Sequence, residues 1–117
     1  MEIEELVAKQ IAADTARGFR VDYSSEKELL RQIEKDLVGL LGEIGEFANL
    51  AKKVGLRLDH EDYNGPTFDQ AIPPLREELA DATIYIIRLF SLLGADMESE
   101  ILRKMAINDE RYGHLGF

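Results

Sequence analysis

Two pairs of carboxylates in this sequence have a spacing that could support chemistry: Glu43 with Glu46, and Glu78 with Asp81. The members of each pair are three residues apart, so on a helix their side chains leave the same side at about 60° to each other. Both pairs stand beside apolar residues of their own segment, at the margin of a core-facing stripe. Each pair is therefore either a solvated helix edge or part of a site that holds a cation.

The two pairs can meet if their helices pack antiparallel, and they would then form a cluster of four carboxylates. Coulomb repulsion in such a cluster raises the carboxyl pKa values unless divalent cations offset the charge. An all-oxygen ligand set suits Mg²⁺, with Mn²⁺ as the alternative, and Mg²⁺ readily shares its coordination shell with phosphate oxygens. The spacing therefore predicts a seat for a magnesium–triphosphate complex. A di-iron site is disfavoured because it usually needs Glu-x-x-His on two helices, and Glu46 and Asp81 occupy those positions.

A polar stripe near the end of the chain consists of Lys104, Asn108 and Arg111, spaced four and three residues apart. On a helix these side chains fall within about 60° of one another. Two interpretations stay open. The basic residues interact favourably with the dipole at a helix C-terminus, or they hold phosphate oxygens while Asn108 forms a hydrogen bond to the ligand.

Length and composition narrow the class of protein. The 117 residues suit a single domain, residues 1–117, and the net charge of −9 disfavours nucleic-acid binding by a basic patch. The absence of cysteine excludes disulfides and thiolate chemistry, and two histidines are too few for an all-histidine zinc site. No apolar run approaches the roughly 20 residues of a membrane span, and the acidic N-terminus is unlike a signal peptide. We therefore expect a cytoplasmic protein without membrane partners.

Helical periodicity dominates the first half of the chain and predicts two helices there. The first covers about residues 2–16. The second begins at a capping box formed by Ser25 and Glu28, in which each side chain bonds the other's backbone amide. It runs to about Lys53, and Gly55 would end it.

The second half of the chain predicts one long loop and two further helices. Residues 56–72 form the loop, and Pro73-Pro74 fits the first turn of the third helix, where proline loses no hydrogen bond. That helix stops at Gly94. Asp96 would cap the fourth helix over residues 97–111, and the tail after it is expected to be irregular.

These elements predict an all-α fold, a four-helix bundle-type subunit. An N-terminal helix and loop occupy residues 1–24, a core that carries the motifs occupies 25–112, and the tail occupies 113–117. The third helix has apolar residues on two sides, which indicates burial on most sides. The first stripe consists of Leu79, Ala82, Ile86, Leu89 and Leu93, and the second of Ile84 and Ile87. We therefore expect assembly as a homodimer or homotetramer.

The stretches "GEIGEFANL", "EELADATIYIIRL" and "KMAINDER" together resemble the MazG-like all-α nucleoside triphosphate pyrophosphohydrolases. The pattern of that family is ExxE, a spacer, ExxD, and a later Lys and Arg with an Asn between them. The resemblance covers about residues 28–112. Each motif is weak alone, and their order makes the set moderately specific.

The resemblance implies a helical dimer or tetramer that hydrolyses a nucleoside triphosphate to the monophosphate and pyrophosphate with Mg²⁺. It implies that the two acidic pairs are the metal ligands and that the polar stripe contacts phosphate or sugar. One glutamate, Glu43 or Glu46, would act as general base. Tyr85 resembles a tyrosine at this place in dCTP-hydrolysing relatives and would bind substrate; its alternative is an aromatic at the edge of the core.

The spacer between the acidic motifs is long for the shorter family members, because it contains the 56–72 loop. His60, Tyr63 and Phe68 either line a nucleobase pocket there or belong to a surface loop, and the second interpretation is favoured. Two rivals to a nucleotide-pool enzyme stay open. One is a phosphoribosyl-ATP pyrophosphohydrolase, and the other is a non-catalytic helical module for oligomerisation or regulation.

Overall fold

The computed structural model of the chain describes residues 1–116. The helices are α1 (Ile3–Ala16), α2 (Glu26–Asp59), α3 (Phe68–Leu92) and α4 (Met97–Tyr112), followed by a 3₁₀ turn, Gly113–Leu115. No β-strand occurs among residues 1–116. The expected all-α class with four helices is therefore confirmed.

The described chain divides into two compact units. One consists of Met1–Leu29 together with the described residues from Ile87 onward, and the other is Leu30–Ile86. The first unit contains α1, α4 and the C-terminal part of α3, while the second contains most of α2, the loop after it and the N-terminal part of α3. The expectation of a single domain over residues 1–117 stays a prediction.

In the first unit, a buried carboxylate at the end of α1 ties this helix to α3. Asp14 is 5% exposed, and its Oδ1 accepts a hydrogen bond of 3.0 Å from the side-chain amide of Gln10. The Arg88 guanidinium of α3 lies 3.9 Å from the same oxygen and 4.0 Å above the Phe19 ring centroid. Because a charge removed from water needs compensating partners, this cluster explains how an acidic residue is tolerated in the interior. It also fixes the chain just after α1, which begins and ends as predicted.

Half of the predicted capping box opens α2. The Ser25 hydroxyl oxygen accepts a hydrogen bond of 3.2 Å from the Glu28 amide, as expected for an N-cap. The Glu28 carboxylate, in contrast, accepts a hydrogen bond of 2.8 Å from the Ser24 hydroxyl. Ser25 was therefore predicted correctly as the N-cap, whereas the Glu28 carboxylate bonds the Ser24 side chain instead of the Ser25 backbone amide.

The predicted end of α2 at Gly55 is wrong, because the helix continues to Asp59. A glycine inside a helix costs only about 1 kcal/mol relative to alanine, which local packing can offset. Val54, next to it, is 5% exposed, and the Arg57 guanidinium donates a hydrogen bond of 2.7 Å to the Gly65 carbonyl. The burial of Val54 and this hydrogen bond stabilise the additional helical turn.

The predicted start of α3 at Pro73 is also wrong, because the helix begins at Phe68. Thr67 and Gln70 form a reciprocal capping box: the Gln70 amide donates to the Thr67 hydroxyl at 3.1 Å, and the Thr67 amide donates to the Gln70 side chain at 3.0 Å. Pro73 and Pro74 therefore lie inside the helix. The connection between α2 and α3 is correspondingly shorter than the predicted 56–72 loop.

The end of α3 and the start of α4 are as predicted. Gly94 adopts a left-handed φ of 66°, and the Ala95 amide donates to the Phe90 carbonyl at 3.0 Å, which closes the helix end. The Asp96 side chain accepts a hydrogen bond of 3.0 Å from the Ser99 amide and caps α4. The tail forms the 3₁₀ turn rather than an irregular segment, and Phe117 lies outside the described residues.

Few large apolar side chains are buried in the second unit. Its buried apolar residues are Val54, Ala71 and Ala82, all of modest size. A stripe along α2 stays exposed, and it consists of Leu30, Leu37, Leu41 and Ile44. Among the described residues, no helix is both long enough and apolar enough to cross a membrane.

Candidate metal centre

Three glutamates converge in the second unit. Glu43 and Glu46 come from α2 and Glu78 from α3, and one carboxylate oxygen of each lies within 4.8 Å of the other two. The helical spacing of three residues places Glu43 and Glu46 on adjoining positions of α2, so a single side chain from α3 can meet both. The structure therefore brings together three of the four acids that the sequence singles out.

α2 and α3 run antiparallel where they meet, as the formation of the cluster requires. Glu43 of α2 lies beside Glu78 of α3. One turn earlier on α2, Gly39 lies against Tyr85, which is two turns later on α3. From the first contact to the second, residue numbers fall along α2 and rise along α3, so the two helices run in opposite directions.

Hydrogen bonds from the carboxyl group to its neighbours dominate the electrostatics of the cluster. A hydrogen bond with Glu43 and then one with Glu46, with smaller contributions from burial and from the negative charges of both, raise the pKa of Glu78 from 4.5 to about 8. At neutral pH without a cation, Glu78 therefore keeps a proton and donates it in a hydrogen bond. That shared proton relieves the repulsion which the three carboxylates would otherwise exert on one another.

The cluster also contains oxygens that lack partners. Oε2 of Glu43 and Oε2 of Glu78 are buried and accept no hydrogen bond from any of the described residues. Buried carboxylate oxygens normally have partners, so an orphaned pair needs an explanation such as an ion. Two oxygens on opposite sides of one Mg²⁺ are about 4.2 Å apart. The carboxylate oxygens of the cluster lie within 4.8 Å of one another, so small side-chain rotations would bring them to the distances that Mg²⁺ requires. The residues present thus fit a hard divalent cation with oxygen ligands.

Asp81 lies outside the group of converging oxygens. It is exposed on α3, one turn beyond Glu78, and the aspartate side chain is one methylene shorter than that of glutamate. Its role as a metal ligand stays a prediction.

Tyr85 packs directly on the backbone of α2 at Gly39. A Cβ atom added at Gly39 would lie 2.6 Å from the tyrosine hydroxyl oxygen and closer still to two ring carbons. Sequence reasoning missed Gly39, although a glycine in the middle of a helix is a signal of close approach. Gly42 and Gly45 of the same helix differ from Gly39, because an added Cβ at either position would meet nothing within 4 Å among the described residues.

The polar stripe of Lys104, Asn108 and Arg111 lies on α4, in the first unit, and all three side chains are exposed. The helical spacing expected for them is confirmed. Arg111 lies 4.8 Å above the Tyr112 ring centroid. Asn108 lines a cavity of about 350 Å³, and the other lining residues are Met105, Asp109, Tyr112 and Gly113. Their contact with a ligand stays a prediction.

The residues considered for a nucleobase pocket lie around the connection between α2 and α3. Phe68 is 59% exposed and His60 is exposed as well. Tyr63 packs against Gly65 and borders a cavity of about 390 Å³, whose other lining residues are Arg57, Glu61, Asp62 and Asn64. The lining is largely polar, which suits a surface loop better than an apolar base pocket.

The fold and the cluster define an all-α protein with a three-glutamate site suited to a divalent cation. No family model and no solved structure matches the chain. Two curated relatives do, and both are named dCTP pyrophosphatase 1. The Mus musculus protein is 33% identical over 103 residues, which cover 82% of this chain and 56% of that protein. The Rattus norvegicus protein is 32% identical with the same coverage. The chain thus spans about half the length of the curated relatives it matches.

Proposed function

We propose that the protein is a nucleoside triphosphate pyrophosphohydrolase that depends on a divalent cation and releases a monophosphate and pyrophosphate. The observation that carries this proposal is the cluster of Glu43, Glu46 and Glu78, with two buried oxygens that accept no hydrogen bond from the described residues. The similarity to proteins named dCTP pyrophosphatase 1 supports the same reaction class and makes dCTP the first substrate to test.

The metal would be Mg²⁺, with Mn²⁺ as the alternative, because the donor set consists of carboxylate oxygens. Glu43, Glu46 and Glu78 would hold it, and Asp81 would complete the set after a change of its side-chain rotamer. When bound, such a cation neutralises phosphate charge and lowers the pKa of a coordinated water.

A carboxylate of the cluster would accept the proton of the attacking water. The water oxygen forms a bond to one phosphorus of the α–β phosphoanhydride, the bridging oxygen leaves with the other phosphorus, and the water proton passes to a carboxylate. Glu43 or Glu46 would accept this proton, since the carboxylates of both lie beside Glu78 in the cluster. Hydrolysis in ¹⁸O-water would show which phosphorus is attacked, by the label appearing in either the monophosphate or pyrophosphate.

The remaining predicted site residues would hold the substrate. Lys104 and Arg111 carry the positive charges that phosphate oxygens require, and Asn108 offers both a donor and an acceptor. Tyr85 would contact the nucleoside, because it follows Glu78 by two helical turns and so lies on the same side of α3.

We propose a homodimer or homotetramer as the active assembly. The exposed stripe of Leu30, Leu37, Leu41 and Ile44 follows one side of α2 with spacings of seven, four and three residues, which is the pattern of a helix packed against a partner helix. Light scattering on the purified protein tests this directly. A monomer at micromolar concentration would contradict it.

A panel of canonical and modified nucleoside triphosphates, assayed for pyrophosphate release with Mg²⁺, tests the activity. We expect turnover of at least one substrate, and loss of it in Glu46→Gln, with Glu34→Gln as the matched control on an exposed part of α2. Turnover of phosphoribosyl-ATP alone would favour the alternative function, that of a phosphoribosyl-ATP pyrophosphohydrolase. If a folded protein hydrolyses none of these compounds and Mg²⁺ leaves its melting temperature unchanged, the protein is a non-catalytic helical module.

A further inference from the structure

We propose that the contact between Gly39 and Tyr85 sets how closely α2 and α3 approach each other at the glutamate cluster, and thereby sets the spacing of its carboxylates. Both are positioning residues in this view, acting through Glu43 and Glu78. The inference rests on the proposed function only where it concerns metal affinity.

The position of the contact gives it this control. Gly39 is one turn before Glu43 on α2, about 6 Å along the helix axis, and Tyr85 is two turns after Glu78 on α3. The tyrosine ring lies on the glycine itself, since an added Cβ would be 2.6 Å from the hydroxyl oxygen. The contacting atoms belong to the distal end of the tyrosine side chain, and they lie on backbone that has no side chain of its own. Because the planar ring cannot bend, an added methyl group displaces either the tyrosine side chain as a whole or the helix that bears it.

A single methyl group at position 39 would disturb this arrangement. Ordinary carbon contacts are about 3.5–4.0 Å long, so the ring would have to move by about 1 Å or more. The ring is attached to α3, and the added methyl to α2, so the displacement tends to separate the two helices near the cluster. Metal–ligand distances tolerate only about 0.2 Å, and the carboxylates would have to follow.

Two glycines on the same helix provide matched controls. A Cβ added at Gly42 or at Gly45 meets nothing within 4 Å among the described residues. Alanine at either position also replaces a glycine of α2, but its methyl group does not press on α3. Gly39→Ala and Gly42→Ala therefore differ in the clash with Tyr85 and share the gain in helix propensity.

The experiment compares Gly39→Ala, Gly42→Ala, Tyr85→Leu and the double variant Gly39→Ala with Tyr85→Leu. Mn²⁺ affinity is measured by electron paramagnetic resonance. The spacing of the helices is measured without metal, from the dipolar broadening of nitroxide labels on cysteines introduced at Asn49 and Glu77. Both positions are exposed, and the chain has no other cysteine.

We expect Gly39→Ala to weaken Mn²⁺ binding at least tenfold and to reduce the broadening, whereas Gly42→Ala changes neither by more than about twofold. Removing the ring should cancel the effect of the methyl, so the double variant should match Tyr85→Leu. A folded Gly39→Ala protein with the broadening or the Mn²⁺ affinity of the control would overturn the inference.

Two further outcomes are also decisive. If the unmodified protein binds no Mn²⁺, the proposed function fails, and the label spectra alone decide whether the contact sets the helix spacing. If Gly39→Ala does not fold, folding of the double variant supports the inference, because relief of the clash restores the structure. Failure of the double variant to fold, while Tyr85→Leu folds, overturns it.

Discussion

Metal binding at the glutamate cluster should depend steeply on pH, because Glu78 must release its proton to become a ligand. The neighbouring carboxylates of Glu43 and Glu46 raise the pKa of Glu78 to about 8. With that value, about 1% of the protein has this group ionised at pH 6 and about half at pH 8. The affinity for Mg²⁺ or Mn²⁺ should therefore increase about 50-fold between pH 6 and pH 8 and level off above pH 9.

Calorimetric titration with Mn²⁺ at several pH values measures this directly. Repeating each titration in two buffers with different ionisation enthalpies gives the number of protons released, which should be close to one at pH 6–7. Glu78→Gln should bind the metal more weakly and with little pH dependence over the same range. An affinity that is constant from pH 6 to pH 8, or binding without proton release, would refute the shared-proton arrangement.

The same shift predicts the direction in which pH changes stability without metal. The folded-state pKa of Glu78, about 8, exceeds its ordinary value of 4.5, so the folded protein retains a proton that the unfolded chain has released. This contribution to stability is fully present below pH 4.5 and is lost as the pH rises through 8. Glu78→Gln resembles the protonated form and should lack this loss, which thermal melts between pH 5 and pH 9 would show.

Three further predictions concern the contacts that frame the site. Arg88→Ala should lower the free energy of unfolding by about 2 kcal/mol in urea titrations, because it removes a cation that lies 3.9 Å from the buried Asp14 carboxylate. Gly94→Ala should cost about 1 kcal/mol in the same assay, because φ is 66° at that position. The Ser99 hydroxyl and then its amide lower the pKa of Asp96, so stability from this cap is present above pH 3.8 and lost as the pH falls further. Melts of Asp96→Asn and unmodified protein should therefore converge toward pH 2.

Matched variants control for these effects. Arg31→Ala removes an arginine whose partner Glu34 is half exposed, and it should change stability by less than about 0.5 kcal/mol. Gly42→Ala, in the open part of α2, should be neutral or stabilising. If Arg88→Ala is no more harmful than Arg31→Ala, the cluster around Asp14 does not have the structural weight assigned to it.

Local signals in the sequence predicted the boundaries that local chemistry decides. Asp96 caps α4 and Gly94 closes α3, as expected, because a side-chain acceptor and a left-handed φ act within a few residues. The capping box at Thr67 and Gln70 has the same local character, and it starts α3 before the proline pair at 73–74. Gly55, read as a helix terminator, misplaced the end of α2, since the helix continues to Asp59 with Val54 buried and Arg57 bonded to the Gly65 carbonyl.

The sequence by itself determined the elements of the site: four helices, two acidic pairs at helical spacing, and an all-oxygen donor set. Spacing along one helix is fixed by the 3.6-residue turn, so Glu43 and Glu46 had to share a face. Only the tertiary structure decided that Glu78 closes against both of them while Asp81 stays exposed. The register between α2 and α3 determines which of these two acids joins the cluster. Packing contacts between the helices, such as that of Tyr85 on Gly39, set this register, and no periodicity within either helix encodes it.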